Sequence, residues 1–106
     1  MLQLIVLYPQ PADEKQFKSD YANHLALLHQ KTGMPATLKP YSVTKFLPMP
    51  KEAAPFCQMF TMPFKSPEAL QAGMSSAGMQ EVAADANRIS TGGAPIILIG
   101  NPVTSL

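Results

Sequence analysis

An aspartate, a tyrosine and a histidine fall within about one helical turn in the stretch FKSDYANHLALLHQKTG, residues 17–33. His24 is titratable. Burial of an imidazole disfavours its charged form, and a neutral ring facing an enclosed apolar space can act as a general base. Asp20, four residues earlier, can orient that ring and stabilise the imidazolium. Tyr21 can donate a hydrogen bond to a substrate oxygen, and Tyr8 and Tyr41 can reach the same space. His24, Asp20 and Tyr21 are therefore the candidate catalytic set. A structural role competes with this reading. A lone histidine on the apolar face of a helix is more often a satisfied core residue, and an Asp–His pair four apart adds only about 0.2–0.5 kcal/mol of local support.

Other chemistries find less support. His29 lies ~140° around the helix from His24, so the two cannot chelate one metal within it. The sequence has one cysteine, Cys57, and no Cys/His cluster. No metal site is expected, zinc included, and no cofactor is implied. Cys57 lies in the apolar run FCQMF, without the basic neighbours that activate a thiolate, and reads as a small buried hydrophobe. Thr91-Gly92-Gly93 lacks the strand-before, helix-after context of a phosphate loop and reads as a hinge into the last strand. No G-x-S-x-G elbow is present. Seven methionines stand out. Met49, Met59, Met62, Met74 and Met79 mostly occupy apolar periodic positions, where they fill a core or line a pocket for an irregular small molecule.

Hydrophobic patterning supplies the elements that would position these residues. Leu2 to Tyr8 is apolar at nearly every position, as in a strand buried on both faces, and Pro9 and Pro11 end it. Asp13 is a plausible N-cap, with Gln16 three residues on. At about 100° per residue, Phe17, Tyr21, His24 and Leu28 share a narrow wedge with Leu25 at its edge. Lys15, Lys18, Asn23 and Gln30 fall outside it. Gly33 closes this helix, and Pro35 prevents its return. Leu38 to Phe46 has strand composition, with Pro40 marking an edge strand. The loop LPMPKEAAP follows, too long for a tight hairpin and of a kind found at the mouths of sites. In Phe56 to Phe64, Phe56, Gln58, Phe60, Met62 and Phe64 share one face, and Cys57, Met59 and Thr61 the other. Ser66-Pro67-Glu68 starts a second helix. Ser75, Ser76 and Gly78 break it, and Met79, Val82, Ala83, Ala86 and Ile89 resume the stripe. Ile96 to Ile99 is a fourth strand, and residues 101–106 form a tail.

The order β-α-β-β-α-β predicts an α+β, ferredoxin-like fold, with a four-stranded antiparallel sheet and two helices on one face. At 106 residues the chain makes one domain, 1–106. Strands one and four are apolar on both faces, yet the helices cover only one. A second copy of the sheet is the simplest cover for the other, which predicts a homodimer through the sheet faces with an apolar interface. Formal net charge is +1 and the basic residues are scattered, which argues against a nucleic-acid partner. The run Leu4 to Leu7 is too short for a membrane span and lacks signal-peptide features, so a cytoplasmic protein is expected.

Three segments resemble the EthD family of small dimeric α+β barrel proteins, named for a component linked to ethyl tert-butyl ether degradation. They are LIVLYPQPADEKQF at 4–17, HLALLHQKTGM at 24–34, and SPEALQAGMSSAGMQEVAADANRISTGG at 66–93. The resemblance implies a dimeric α+β barrel. Counted back from Gly33, His24 falls at the position of the family's helix histidine and Leu27 at its leucine. Ala26 stands where the family carries proline, and the Phe17-to-His24 spacing is one residue shorter. Two functions are consistent with these residues. One is cofactor-free proton-transfer chemistry, of an isomerase, cyclase or monooxygenase-like kind, on a small apolar carbonyl or aromatic metabolite in catabolism. His24 would move the proton, Tyr21 or Tyr41 would polarise an oxygen, and Phe17 and Met59 would contact the substrate. The other is non-catalytic binding of a hydrophobic small molecule, or service to a partner enzyme.

Overall fold

The computed structural model describes residues 1–103 of the chain. Its elements are β1 (Leu2–Pro9), α1 (Glu14–Thr32), β2 (Ser42–Lys45), β3 (Phe56–Phe64), α2 (Pro67–Ser75), α3 (Ala77–Ile89) and β4 (Ile96–Gly100). The strands form one antiparallel sheet in the order β2-β3-β1-β4. This is the ferredoxin-like arrangement. β1 and β3 are the central strands, the apolar β4 is an edge, and the helices pack on one face.

Local chemistry sets the helix ends. The Asp13 side chain accepts from Gln16 N, and Gly33 caps the C-terminus of α1 at φ 76°, a left-handed conformation that glycine adopts without penalty. Ser66 caps α2 by accepting from Ala69 N. Ser76 caps α3 by accepting from Met79 N. That second cap is the physical basis of the helix break. With its side chain bonded to Met79 N, Ser76 sits in an extended conformation that ends one helix and starts the next.

Sheet register separates the two faces. Leu4, Val6 and Tyr8 pair with Met62, Phe60 and Gln58, and all six are buried beneath the helices. Phe17, Tyr21, His24 and Leu28 meet them from α1, and Met79, Val82, Ala86 and Ile89 from α3. Ile5 and Leu7, which alternate with these, pair with Thr61 and Met59 on one side and with Leu98 and Ile96 on the other. They form the apolar face that no helix covers.

Two expectations are corrected. The second strand is shorter than 38–46, because a Leu38 N–H to Pro35 carbonyl bond of 2.9 Å makes residues 35–38 a turn and Pro40 cannot donate to a ladder. Met49 is 67% exposed in the loop and fills neither core nor pocket. There it pairs with Glu52 in an isolated bridge that folds the loop back on itself. The tail expected over 101–106 lies partly outside the described residues. None of the helices among the described residues is long and apolar enough to cross a membrane.

The turn at 91–93 is packed more tightly than a hinge needs. Thr91 Oγ1 accepts from Ala12 N at 3.0 Å. A Cβ on Gly92 would lie 1.7 Å from the Gln10 carbonyl oxygen, a backbone atom with little room to move. Gly92→Ala is expected to cost about 1–3 kcal/mol by overpacking. Thermal melting of that variant checks the point, and an unchanged melting temperature would show that the two backbones separate freely.

Candidate functional site

α1 projects His24 and Tyr21 toward the sheet because their spacing from Phe17 and Leu28 keeps all four on its buried face. The one-residue shorter spacing from Phe17 to His24 does not break that face. Tyr8, near the C-terminal end of β1, packs edge-on against both Phe17 and Tyr21, with centroids 5.4 and 5.6 Å apart. Phe17 and Tyr21 stack at 5.7 Å, and the His24 ring lies 5.7 Å from Tyr21.

The carboxylate beside His24 is Asp85. Its Oδ2 lies 2.8 Å from His24 Nδ1, and its Oδ1 accepts from Arg88 Nε at 2.8 Å. Asp20, expected to orient the ring, instead accepts from Gln16 Nε2 at 3.0 Å along its own helix. His24 points off α1 across the seam with α3, so the facing helix supplies the carboxylate. Burial alone would raise the Asp85 pKa. Hydrogen bonds from His24 and Arg88, with the Arg88 charge, outweigh it and hold the carboxyl below its ordinary value.

Two cavities open on either side of this aromatic group. The smaller, of about 50 Å³, is lined by Tyr8, His24, Phe60, Met74, Met79 and Ile97. It has room for a water molecule or two. The larger, of about 750 Å³, lies between α1, β2, β3 and the 46–55 loop. Phe17, Tyr21 and Leu25 wall it from α1, and Val43, Lys45 and Gln58 from the sheet. The loop expected at the mouth of a site does line this cavity, through Phe46, Leu47 and Pro48 among others. Gln10 holds the loop's end by donating from Nε2 to the Ala54 and Phe56 carbonyls at 2.9 and 3.2 Å.

Among the described residues, two buried polar groups on side chains that line the larger cavity have no partner. The Tyr21 hydroxyl and Gln58 Nε2 are buried and accept or donate no hydrogen bond. Their residues are only 7% and 4% exposed. Burial, followed by the nearby Tyr8 and Tyr41 hydroxyls, pushes the Tyr21 pKa far up. Proximity to the Gln58 amide lessens that rise, although the contact falls short of hydrogen-bond geometry. Tyr21 is thus a neutral phenol with an unspent donor. Burial likewise raises the Tyr8 phenol, helped by the Asp85 charge, and the Cys57 thiol.

The remaining expected site residues are dispersed. Phe17 lines the larger cavity. Tyr41 stacks on Phe60 at 5.3 Å and has its hydroxyl 2.8 Å from His29 Nε2, so a ring expected at the substrate is engaged elsewhere. Met59 alternates with Gln58 and Phe60 along β3, which turns it to the uncovered face, away from both cavities. Asp85 and Gln58 were not among the expected site residues. Gln58 had a signal, being the one polar residue among the five on its strand face. Asp85 sits at the edge of the α3 stripe beside Ala86, and only helix packing brings it to His24.

No protein-family model matches the sequence, and no curated protein does. Solved structures do match. An EthD family protein from Bacillus halodurans is 29% identical, with a TM-score of 0.80, covering 97% of this chain and 99% of that one. An EthD-like protein from Ralstonia eutropha is 22% identical at a TM-score of 0.67, with 99% and 94% covered. A dimeric ferredoxin-like protein of unknown function from Jannaschia is 12% identical at 0.69, with 96% and 100% covered. The first of these extends the resemblance over nearly the whole of both chains, in sequence and in three dimensions, and the other two share the fold.

Proposed function

We propose that this EthD-like protein takes a small apolar carbonyl or aromatic metabolite into the cavity between α1, β2 and β3, and holds its oxygen with the Tyr21 hydroxyl and the Gln58 amide. The observation that carries this reading is a pair of buried donors, without partners among the described residues, on side chains that line one cavity. Each such group left unmade costs about 1–3 kcal/mol. A ligand oxygen accepting from both offsets that cost, and apolar walls take up the rest of the molecule.

Donors aimed at a carbonyl oxygen also stabilise the enolate that forms when a neighbouring carbon loses a proton. In this reading the base is His24, whose Nδ1 is held by Asp85 and whose ring centroid lies 5.7 Å from that of Tyr21. Cofactor-free isomerisation, cyclisation or oxygenation in catabolism would each begin with this step. Non-catalytic binding is the second reading. It is favoured by the position of His24 on the smaller cavity rather than on the larger one. Replacement by alanine separates the two: if a ligand is transformed and His24→Ala leaves the turnover unchanged, His24 is no base.

The first reading is tested by binding. Wild type is expected to prefer 2-acetylnaphthalene over 2-ethylnaphthalene, which lacks the oxygen. Tyr21→Phe and Gln58→Leu are each expected to reduce that preference about fivefold, for a bond of about 1 kcal/mol. Calorimetry reads it directly, and equal affinity of wild type for both probes would refute the role of the two donors.

The functional unit in this proposal is a homodimer formed through the uncovered sheet face. Ile5, Leu7, Met59, Ile96 and Leu98 lie together on it, an apolar surface of the kind that self-association buries. The Jannaschia neighbour is described as dimeric. The one unpaired cysteine fits a reducing, cytoplasmic setting.

A further inference from the structure

We infer that the occupant of the larger cavity is an apolar keto acid, with its ketone on Tyr21 and Gln58 and its carboxylate among Lys15, Lys18 and Lys45. This rests on the binding reading above and adds the charge of the ligand. The three lysines line the cavity, against Glu14 as its single carboxylate. Among the described residues none of the three forms an ion pair, whereas Lys31 meets Glu81 at 3.1 Å and Arg88 meets Asp85 at 2.8 Å.

Their positions match the orphaned donors. Lys45 pairs with Gln58 across β2 and β3, so the two side chains leave the same face of the sheet as neighbours. Lys18 precedes Tyr21 by three residues on α1, which places it beside Tyr21 on the flank of the helix. The neutral donors are on buried residues and the uncompensated cations on exposed ones, and Phe17, Leu25 and Val43 add apolar surface to the same cavity. A molecule complementary to those surfaces carries a carbonyl, an apolar body and an anionic group. A carboxylate beside the exposed lysines gains attraction while staying hydrated.

The test compares 6-acetyl-2-naphthoate with 2-acetylnaphthalene, which share the ketone and the ring system. Wild type is expected to bind the acid at least about fivefold more tightly at low ionic strength, with the preference shrinking several-fold at 0.5 M salt. In the Lys18→Glu, Lys45→Glu double variant the ratio of the two dissociation constants is expected to fall to one or below. Lys65→Glu, an exposed substitution away from the cavity, should leave the ratio unchanged. If wild type binds both probes equally, the keto acid assignment is overturned and the donor site stands. A preference that survives the double variant overturns it too, because the lysines would not be its source. If neither probe binds, both the site and its ligand class fall.

Discussion

Asp85→Ala is expected to lower the melting temperature by roughly 10 °C at neutral pH. The aspartate side chain is only 16% exposed and engages His24 with one oxygen and Arg88 with the other. Removing it leaves the buried Nδ1 of His24 without a partner, a loss of about 2 kcal/mol, and each kcal/mol moves the melting point of a domain this size by roughly 4–8 °C. Asp85→Asn should recover part of the loss, since its amide oxygen can still accept from Nδ1–H. The pH dependence has a definite sign. The Asp85 carboxyl is held below its ordinary 3.8, so its contribution is complete above that value and is lost as the pH falls through the depressed one. The stability gap between wild type and Asp85→Ala should therefore narrow as the pH falls below about 4. A gap that persists unchanged in acid would mean that the charge of Asp85 contributes nothing.

Leu98→Glu and Ile5→Glu are each expected to turn a dimer into a monomer. The two residues are register partners on β4 and β1, on the face that no helix covers. Leu98 is 47% exposed in the single chain. In a two-fold dimer each substitution enters the interface twice. Burying a carboxylate against apolar side chains without a partner costs several kcal/mol, so dissociation should rise by about a hundredfold or more. Sedimentation or light scattering at about 10 μM reads the mass. A monomeric wild type would overturn the dimer. A dimeric Leu98→Glu would move the interface to another surface.

The consequences of that face reach the site only indirectly. Tyr21 and Gln58 lie on the helix side of the sheet, so a monomeric variant should keep its ligand preference if its fold is kept. Met59, expected at the substrate, belongs with the uncovered face because its neighbours on β3 alternate sides. Period two along a strand forces Gln58 and Met59 apart, however close they are in sequence.

Most of the architecture was legible from the chain. Asp13, Ser66 and Ser76 act as helix boundaries by accepting from the N–H three positions on, and Gly33 through its left-handed backbone, and such features are set by local sequence. The buried wedge of α1 follows from helical period alone. So does the separation of His29 from His24. The short β2 was less legible, because Leu38 to Tyr41 has strand-like side chains and only the turn at Pro35 shows that they are not paired.

The chain by itself therefore determined where His24, Tyr21 and Gln58 stand on their own elements: each on the buried face, at fixed spacing from its neighbours. The partners of these groups were decided by tertiary structure. Asp85 lies 61 residues from His24 and meets it only because α1 and α3 pack side by side. The stretch around residues 17–33 cannot encode that choice, since Asp20 is nearer in sequence and differs from Asp85 in no local property. The same holds for the two orphaned donors. That Tyr21 and Gln58 line one cavity, while His24 lines another, depends on how far α1 stands from β2 and β3. Packing distance between elements is a sum over the whole core, and no spacing within a single element contains it.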